Sequence, residues 1–286
     1  MPLLDPQSFR QIVSGQRGGP AAWLWRCILA AAEVPYTFEV QRRNHQFDSG
    51  KRQVHRAGVP VISVGNITLG GTGKTPMVEW IARWFRERGV RVCLISRGYG
   101  AEEGSRNDEA LELEQKLPDV PHVQNPDRVA AAEMAVEEFE TQLILLDDAF
   151  QHRRIHRDLD IVLLDATEPF GFERVFPRGT LREPLANLKR ADIVALTRAD
   201  VVDSQVRAEI RRRVEQIKPD APWLELTHAP RRLMNASGKE QSLAFLADKK
   251  IAAFSGIGNP GGFRHTLDTC QYEIAAWREF PDHHNY

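Results

Sequence analysis

The sequence has few cysteines, no long apolar run and almost no net charge. Cys27, Cys93 and Cys270 lie far apart and form no C-x-x-C pair. That excludes a disulfide-stapled scaffold or a zinc ribbon and fits a reducing compartment. Each thiol is expected as a small buried apolar group. No stretch of about 18 apolar residues occurs, so no spanning helix is expected. A basic segment followed by an apolar core and a cleavage site is absent at the N-terminus, so no secretory leader is expected. Internal repeats and low-complexity tracts are lacking too. The formal net charge is −1, which argues against a polyanion binder, and no nucleic-acid partner is expected.

The 286 residues are 42% hydrophobic and 27% charged. That suffices for one large α/β domain, or one domain plus a smaller lobe. The charge is uneven, because residues 1–60 carry eight Lys/Arg against four acids. Within that region "PAAWLWRCILAAAEVPYTF" (20–38) is apolar over roughly three helical turns. It holds Trp23 and Trp25 and is flanked by Arg17, Arg26, Arg42 and Arg43. Tryptophan beside arginine suits a helix lying in a membrane interface. An ordinary N-terminal helix packed on the domain accounts for the same residues.

Short β-branched runs set the fold class. "VPVISVG" (59–65) reads as a buried strand, 76–88 as a helix stopped by Gly89, and "VRVCLIS" (90–96) as the next strand. This βαβ order implies parallel strands. The pattern continues with a helix at 128–140, strands at 142–148, 160–166 and 192–200, and a helix at 206–217. The expected fold is α/β, a doubly wound, mostly parallel sheet with functional groups at the C-terminal strand ends. Residues 1–57 are expected as the N-terminal helical segment and 58–221 as the main domain. From 222 to 286 a smaller C-terminal α/β lobe is expected.

"TLGGTGKT" (68–75) follows a predicted strand and opens a predicted helix. It fits a phosphate loop of the form G-x-x-x-x-G-K-[ST], with Thr68 in the place of the first glycine. Thr68, Leu69, Gly70, Gly71, Thr72 and Gly73 would wrap phosphate with backbone N–H groups at a helix N-terminus. Lys74 is placed to reach the β/γ phosphates and Thr75 to ligate Mg²⁺. "LILLDDAF" supplies the acids of a Walker-B type strand end, Asp147 and Asp148. His152, Arg153 and Arg154 then form a basic loop at the same edge, suited to phosphate or merely charged. Arg97 in "SRGYG" ends the adjacent strand and is placed to face phosphate. Asp108 in "NDEA" reads as a catalytic base or as a helix N-terminal acid. "GIGNPGG" (256–262) matches G-x-G-x-x-G, but Pro260 sits inside it, and it reads as a strand-to-helix turn.

Taken in order, "VGNITLGGTGKTP", "SRGYG", "LDDAFQHRRIHRDLDIVLLDA", "PRGTLREPL", "RADIVALTRAD", "FSGIGNPGGF" and "FPDHH" resemble the tetraacyldisaccharide 4′-kinase family, the lipid A 4′-kinases of Gram-negative bacteria. The resemblance runs from about residue 10 to the end. It implies transfer of the γ-phosphate of ATP, with Mg²⁺, to the 4′-hydroxyl of an acylated glucosamine disaccharide 1-phosphate, giving lipid IVA. It implies a peripheral or monotopic protein at the cytoplasmic face of the bacterial inner membrane, and so a membrane surface as partner. It implies Asp108 as general base, with Asn107 where the family has glycine. It further implies Asp147 and Asp148 as the acid pair, Glu183 of "LREP" as an acid near the metal, and His283 of "FPDHH" as a group approaching the nucleotide. Family chains continue some tens of residues beyond D-H-H, so a shortened C-terminal lobe is expected. The rival reading is a regulatory or metallochaperone-type P-loop GTPase, in which "LTRAD" would stand for a guanine-reading N-K-x-D element.

Overall fold

The computed structural model describes residues 5–98, 108–257, 260–280 and 284, with backbone alone for 6 and 108–110. Two helices lead, α1 (Pro6–Val13) and α2 (Pro20–Asp48). The alternating part follows as β1 (Val61–Asn66), α3 (Lys74–Arg86), β2 (Val92–Ser96), α4 (Asp108–Lys116), β3 (His122–Gln124), α5 (Arg128–Phe139) and β4 (Leu143–Asp147). It continues as β5 (Leu159–Asp165), β6 (Ile193–Thr197), α6 (Ser204–Glu215) and β7 (Trp223–Glu225).

These seven strands form one sheet in the order β3-β2-β4-β1-β5-β6-β7, every neighbouring pair parallel. The chain winds to one side of β1 through β4 and to the other side from β5 onward. Open parallel sheets bind ligands at the carboxyl ends of strands beside such a reversal. Alternation along β1 separates the core layers. Ile62 and Val64 pack with Val78 and Ile81 of α3 and Leu113 of α4. Val61 packs on the other face with Ala131, Ala132 and Ala135 of α5.

The expected strands and helices are present to within two residues at most ends. β3 and α4 lay outside the expectation, since three strand residues and a charged helix give weak periodicity. The boundary at 222 is corrected. β7 pairs with β6, and Leu226 N donates to Leu196 O at 2.8 Å, so this stretch completes the main sheet. Beyond it lie β8 (Leu233–Met234) antiparallel to β9 (Glu240–Gln241), then β10 (Lys250–Ser255), α7 (Pro260–Thr269) and β11 (Glu273–Glu279), with β10 and β11 parallel. β10 ends just before "GIGNPGG" and α7 begins at its Pro260, while Gly258 and Asn259 lie outside the described residues.

α2 is longer than the apolar stretch that announced it and runs straight through Pro35. Its buried side is Ala22, Leu29, Val40, Asn44 and Phe47. A second apolar stripe at helical spacing, Trp23, Cys27, Val34 and Phe38, faces outward, with Trp23 63%, Val34 67% and Phe38 66% exposed. Trp25 is a correction to the paired-tryptophan expectation. It packs with Ile12, Ala22 and Leu29 between α1 and α2. Among the described residues no helix is long and apolar enough to cross a membrane.

The cysteines divide by position. Cys93 is buried in β2, where burial pushes its thiol up to about 12, whereas Cys27 is exposed on α2. A thiol reagent at neutral pH is therefore expected to label Cys27 in native protein and Cys93 only on unfolding. Peptide mass mapping with labelled native Cys93 would contradict the β2 placement.

Candidate active site

β1 ends at Asn66 and α3 begins at Lys74, so residues 67–73 form the loop at the carboxyl edge of the central strand. Gly70 and Gly73 sit at φ +114° and +79°, the left-handed side that favours glycine. Gly73 caps α3 without a side-chain cap bond, which leaves the first-turn N–H groups available to an anion. Asn66 Nδ2 donates to Thr72 Oγ1 at 3.0 Å and closes the loop from inside. Arg198 donates to Gly71 O at 3.0 Å and closes it from the β6 side.

Thr68 has a positive reason to replace glycine. It forms an antiparallel bridge with Leu181, Leu69 N donates to Thr180 O at 2.7 Å, and Arg182 N donates to Ile67 O at 2.7 Å. The head of the loop is therefore extended backbone paired with 180–182, a conformation that suits a β-branched residue.

β4 runs beside β1 with Asp147 level with Val64, which carries the acid pair to the loop. Asp147 is buried. Asp148 sits at φ +49°, and Arg128 holds this turn by donating to the carbonyls of Asp147 (3.1 Å) and Asp148 (3.4 Å). The Asp148 carboxylate accepts from Arg182 at 2.7 and 2.9 Å and lies 3.7 Å from Lys74 Nζ. Burial pushes its pKa up, but Lys74, then Arg182 and Arg128, outweigh that and hold it below the ordinary carboxylate range. Behind the turn the backbone of Phe150 lies close against Gly65, where a Cβ would sit 2.7 Å from Phe150 Cβ and 2.8 Å from its N.

Three expected site residues have other work. Glu183 is 0% exposed, and its oxygens accept from Asn44, Gln151, Asn187 and twice from Arg190, at 2.8–3.1 Å. With both oxygens engaged it is a buried hub that ties α2, the turn after β4 and Arg190 together. Arg153 donates to Asn44 O (3.0 Å) and Asp48 (2.6 Å), which fastens α2 rather than reaching for phosphate. His152 is driven down to about 4 by burial, then by Arg128, Arg154 and Arg157, so at neutral pH it offers no positive charge. Arg154 pairs with Asp127 across 3.2 Å. Arg97 leaves β2 close enough for its charge to act on Arg128. Asp108 opens α4 by its backbone, its side chain lying outside the described residues, as does His283.

The site residues that sequence reasoning missed are Arg182, Arg128, Asn66, Gln151 and Arg198. Arg182 stood in the quoted "TLREP", but its neighbour Glu183 drew the attention. Thr75 and Asp147 offer hard oxygen donors, and the described residues contain no cluster of three His, Cys, Asp or Glu. Two protein oxygens, with the rest from phosphate and water, is the donor pattern Mg²⁺ takes in such sites.

A family model described as tetraacyldisaccharide-1-P 4'-kinase matches residues 25–286. A tetraacyldisaccharide 4'-kinase of Anaeromyxobacter sp. (strain K) is 38% identical over 95% of this chain and 76% of its own length. One of Chlorobaculum parvum is 36% identical over 91% of this chain and 76% of its own. The crystal structure of the "apo" form of LpxK from Aquifex aeolicus in complex with ATP superposes with a TM-score of 0.72 at 30% identity, covering 91% of this chain and 83% of that one.

Two outcomes follow from the geometry. Glu183→Gln leaves Arg190 underpaired in the interior and is expected to lower the unfolding free energy by about 3–5 kcal/mol in urea titration. Intact stability with lost activity would return Glu183 to the metal. His152 binds no proton in the folded state until about pH 4, against 6.5 unfolded. Its contribution to stability is present above 6.5 and lost as pH falls toward 4. His152→Asn should flatten that part of the stability profile, and an unchanged slope would contradict the buried neutral ring.

Proposed function

The chain belongs to the tetraacyldisaccharide 4'-kinase family, and from that premise we propose how its residues carry the reaction. It is an ATP-dependent lipid kinase of lipid A biosynthesis. The γ-phosphate of ATP passes to the 4′-hydroxyl of a tetraacyldisaccharide 1-phosphate, giving ADP and lipid IVA. The observation that carries the residue-level reading is the meeting of Lys74, Asp148 and Arg182 at the mouth of the phosphate loop. There an anion meets N–H groups and two cations, while one carboxylate stays ionised beside them.

Residues 68–73 form the loop around the phosphates, with Leu69 N kept on Thr180 O and the amides from Gly70 onward left to the anion, and Lys74 bonds the β/γ oxygens. Lys74 exchanges a long contact with Asp148 for a phosphate. Thr75 and Asp147 would hold Mg²⁺, which when bound would offset the charge on the phosphates. Asp108, at the start of α4, accepts the proton of the 4′-hydroxyl as the new O–P bond forms and the bond to ADP breaks. Asp148, fixed by Arg182, orients the base. His283 approaches the nucleotide from the C-terminal residues. Arg97 and Arg154 supply charge toward substrate phosphate. Catalysis of this type gains chiefly from positioning and charge neutralisation.

The lipid acceptor requires a surface. The outward stripe of α2 lies in the interface, with Trp23 at headgroup depth, on the cytoplasmic face of the bacterial inner membrane. The protein is peripheral or monotopic there. The regulatory-GTPase alternative is less supported, because the family model and the curated relatives are described as kinases.

Incubation with ATP–Mg²⁺ and a tetraacyldisaccharide 1-phosphate is expected to add one phosphate by mass. Lys74→Ala should abolish the product, and Asp108→Asn should slow it by about 10²–10⁴-fold. Folded wild-type protein that makes no product would sink the reading. Near-normal turnover by Asp108→Asn would remove Asp108 from it.

A further inference from the structure

The segment 175–182 is gripped along both sides. From α2, the Glu33 carboxylate accepts from Val175 N at 3.0 Å and from Arg178 at 3.3 Å. Tyr36 donates its hydroxyl to Arg182 O at 3.1 Å, and its ring meets Phe176 edge-on at 5.6 Å. Phe9 of α1 stands 6.1 Å from the same ring. On the other side the segment pairs with the phosphate loop through Thr180 O, Leu181 and Arg182 N, and it sends Arg182 to Asp148. It is a strap between the outward-facing helix and the phosphate site.

A groove of about 490 Å³ opens along the first side of the strap. Val34 and Phe38 of α2, with Glu33, Thr37 and Gln41 beside them, form one wall, and Val175 at the start of the strap and Pro184 just beyond its end form the other. Hydrocarbon lodged there touches both walls at once. Its contact area then depends on how the strap lies against α2. A ligand shifts an equilibrium only through such differential contact, and the resulting coupling between two sites is reciprocal.

Resting on the surface reading above, we propose that Glu33 and Tyr36 are positioning residues that link the lipid surface to the phosphate loop. Hydrocarbon in the groove steadies the strap, the strap steadies residues 67–69 and Arg182, and nucleotide binds more tightly while α2 is engaged. Neither residue touches the reacting atoms. Each acts through the backbone it holds.

The test uses the full chain and vesicles of phosphatidylethanolamine and phosphatidylglycerol without the acceptor lipid. Affinity for a fluorescent ATP analogue is titrated with and without vesicles for wild type, Glu33→Gln and Tyr36→Phe. Cosedimentation and melting midpoints are measured alongside. Vesicles are expected to tighten the wild-type affinity by about five-fold or more. Tyr36→Phe keeps the ring against Phe176 and should melt and sediment as wild type does while losing most of that tightening. Glu33→Gln should do the same. Equal tightening in the variants overturns the proposal. Sedimentation of wild type with unchanged affinity overturns the link and leaves the surface reading standing. Failure to sediment overturns the surface reading and the link with it.

Discussion

A phosphate loop has to keep several backbone N–H groups bare and still aimed at one point. An anion can satisfy them only while it is present, so the loop must be held by its other groups in the meantime. Here the holding is done from outside by three residues of extended chain. Residues 180–182 pair with 67–69 and take the head of the loop out of the conformational search. Asn66 and Arg198 fix the middle through Thr72 and the Gly71 carbonyl. What remains unfixed is the stretch from Gly73 to the first turn of α3, where phosphate would bind.

The same three-residue bridge explains why neighbouring charges have opposite fates. Extended backbone sends successive side chains to opposite sides. Arg182 goes to the open site and meets Asp148, while Glu183 goes inward to Arg190 and three amides. Placing a carboxylate in the interior costs several kcal/mol unless its hydrogen bonds are complete, and those of Glu183 are. Gln151 joins the two halves, donating to Glu183 at 3.0 Å and to Asn66 O at 2.9 Å. The turn after β4, the end of β1 and the strap therefore move as one body.

Much of this was legible in the sequence where physics acts locally. Buried parallel strands show as β-branched runs, so β1, β2, β4, β5 and β6 stood out, and the loop with its acid pair followed from them. Thr68 looked like a loss of glycine because its partner, Leu181, lies over a hundred residues away. A residue type can announce that it is a base, an acid or a cation. It cannot announce that its charge is spent, which is why Glu183 and Arg153 were placed in the site. Arg128 and Arg182 were passed over for the converse reason: arginines in helices and loops are common, and only the fold brings these two to Asp148. β7 was assigned to the smaller lobe because three residues carry no period.

α2 remains the element whose composition exceeds what the fold requires. One buried stripe is enough to hold a helix on a domain, and Ala22, Leu29, Val40 and Phe47 provide it. The second stripe has no partner in this chain among the described residues. The basic surplus of residues 1–60 offers a competing account of attraction to a surface, at about 1 kcal/mol for each cation near anionic lipid. Yet Arg10 is paired with Glu168 and Arg42 with Glu39. Fewer charges are free than the count suggests. Burial of a side chain the size of Val or Phe contributes about 1.5–3 kcal/mol, so Trp23, Val34 and Phe38 together outweigh the remaining cations. On the proposed surface reading, binding of α2 to a bilayer should rest on hydrocarbon contact, with charge setting orientation, and should survive salt that screens the arginines.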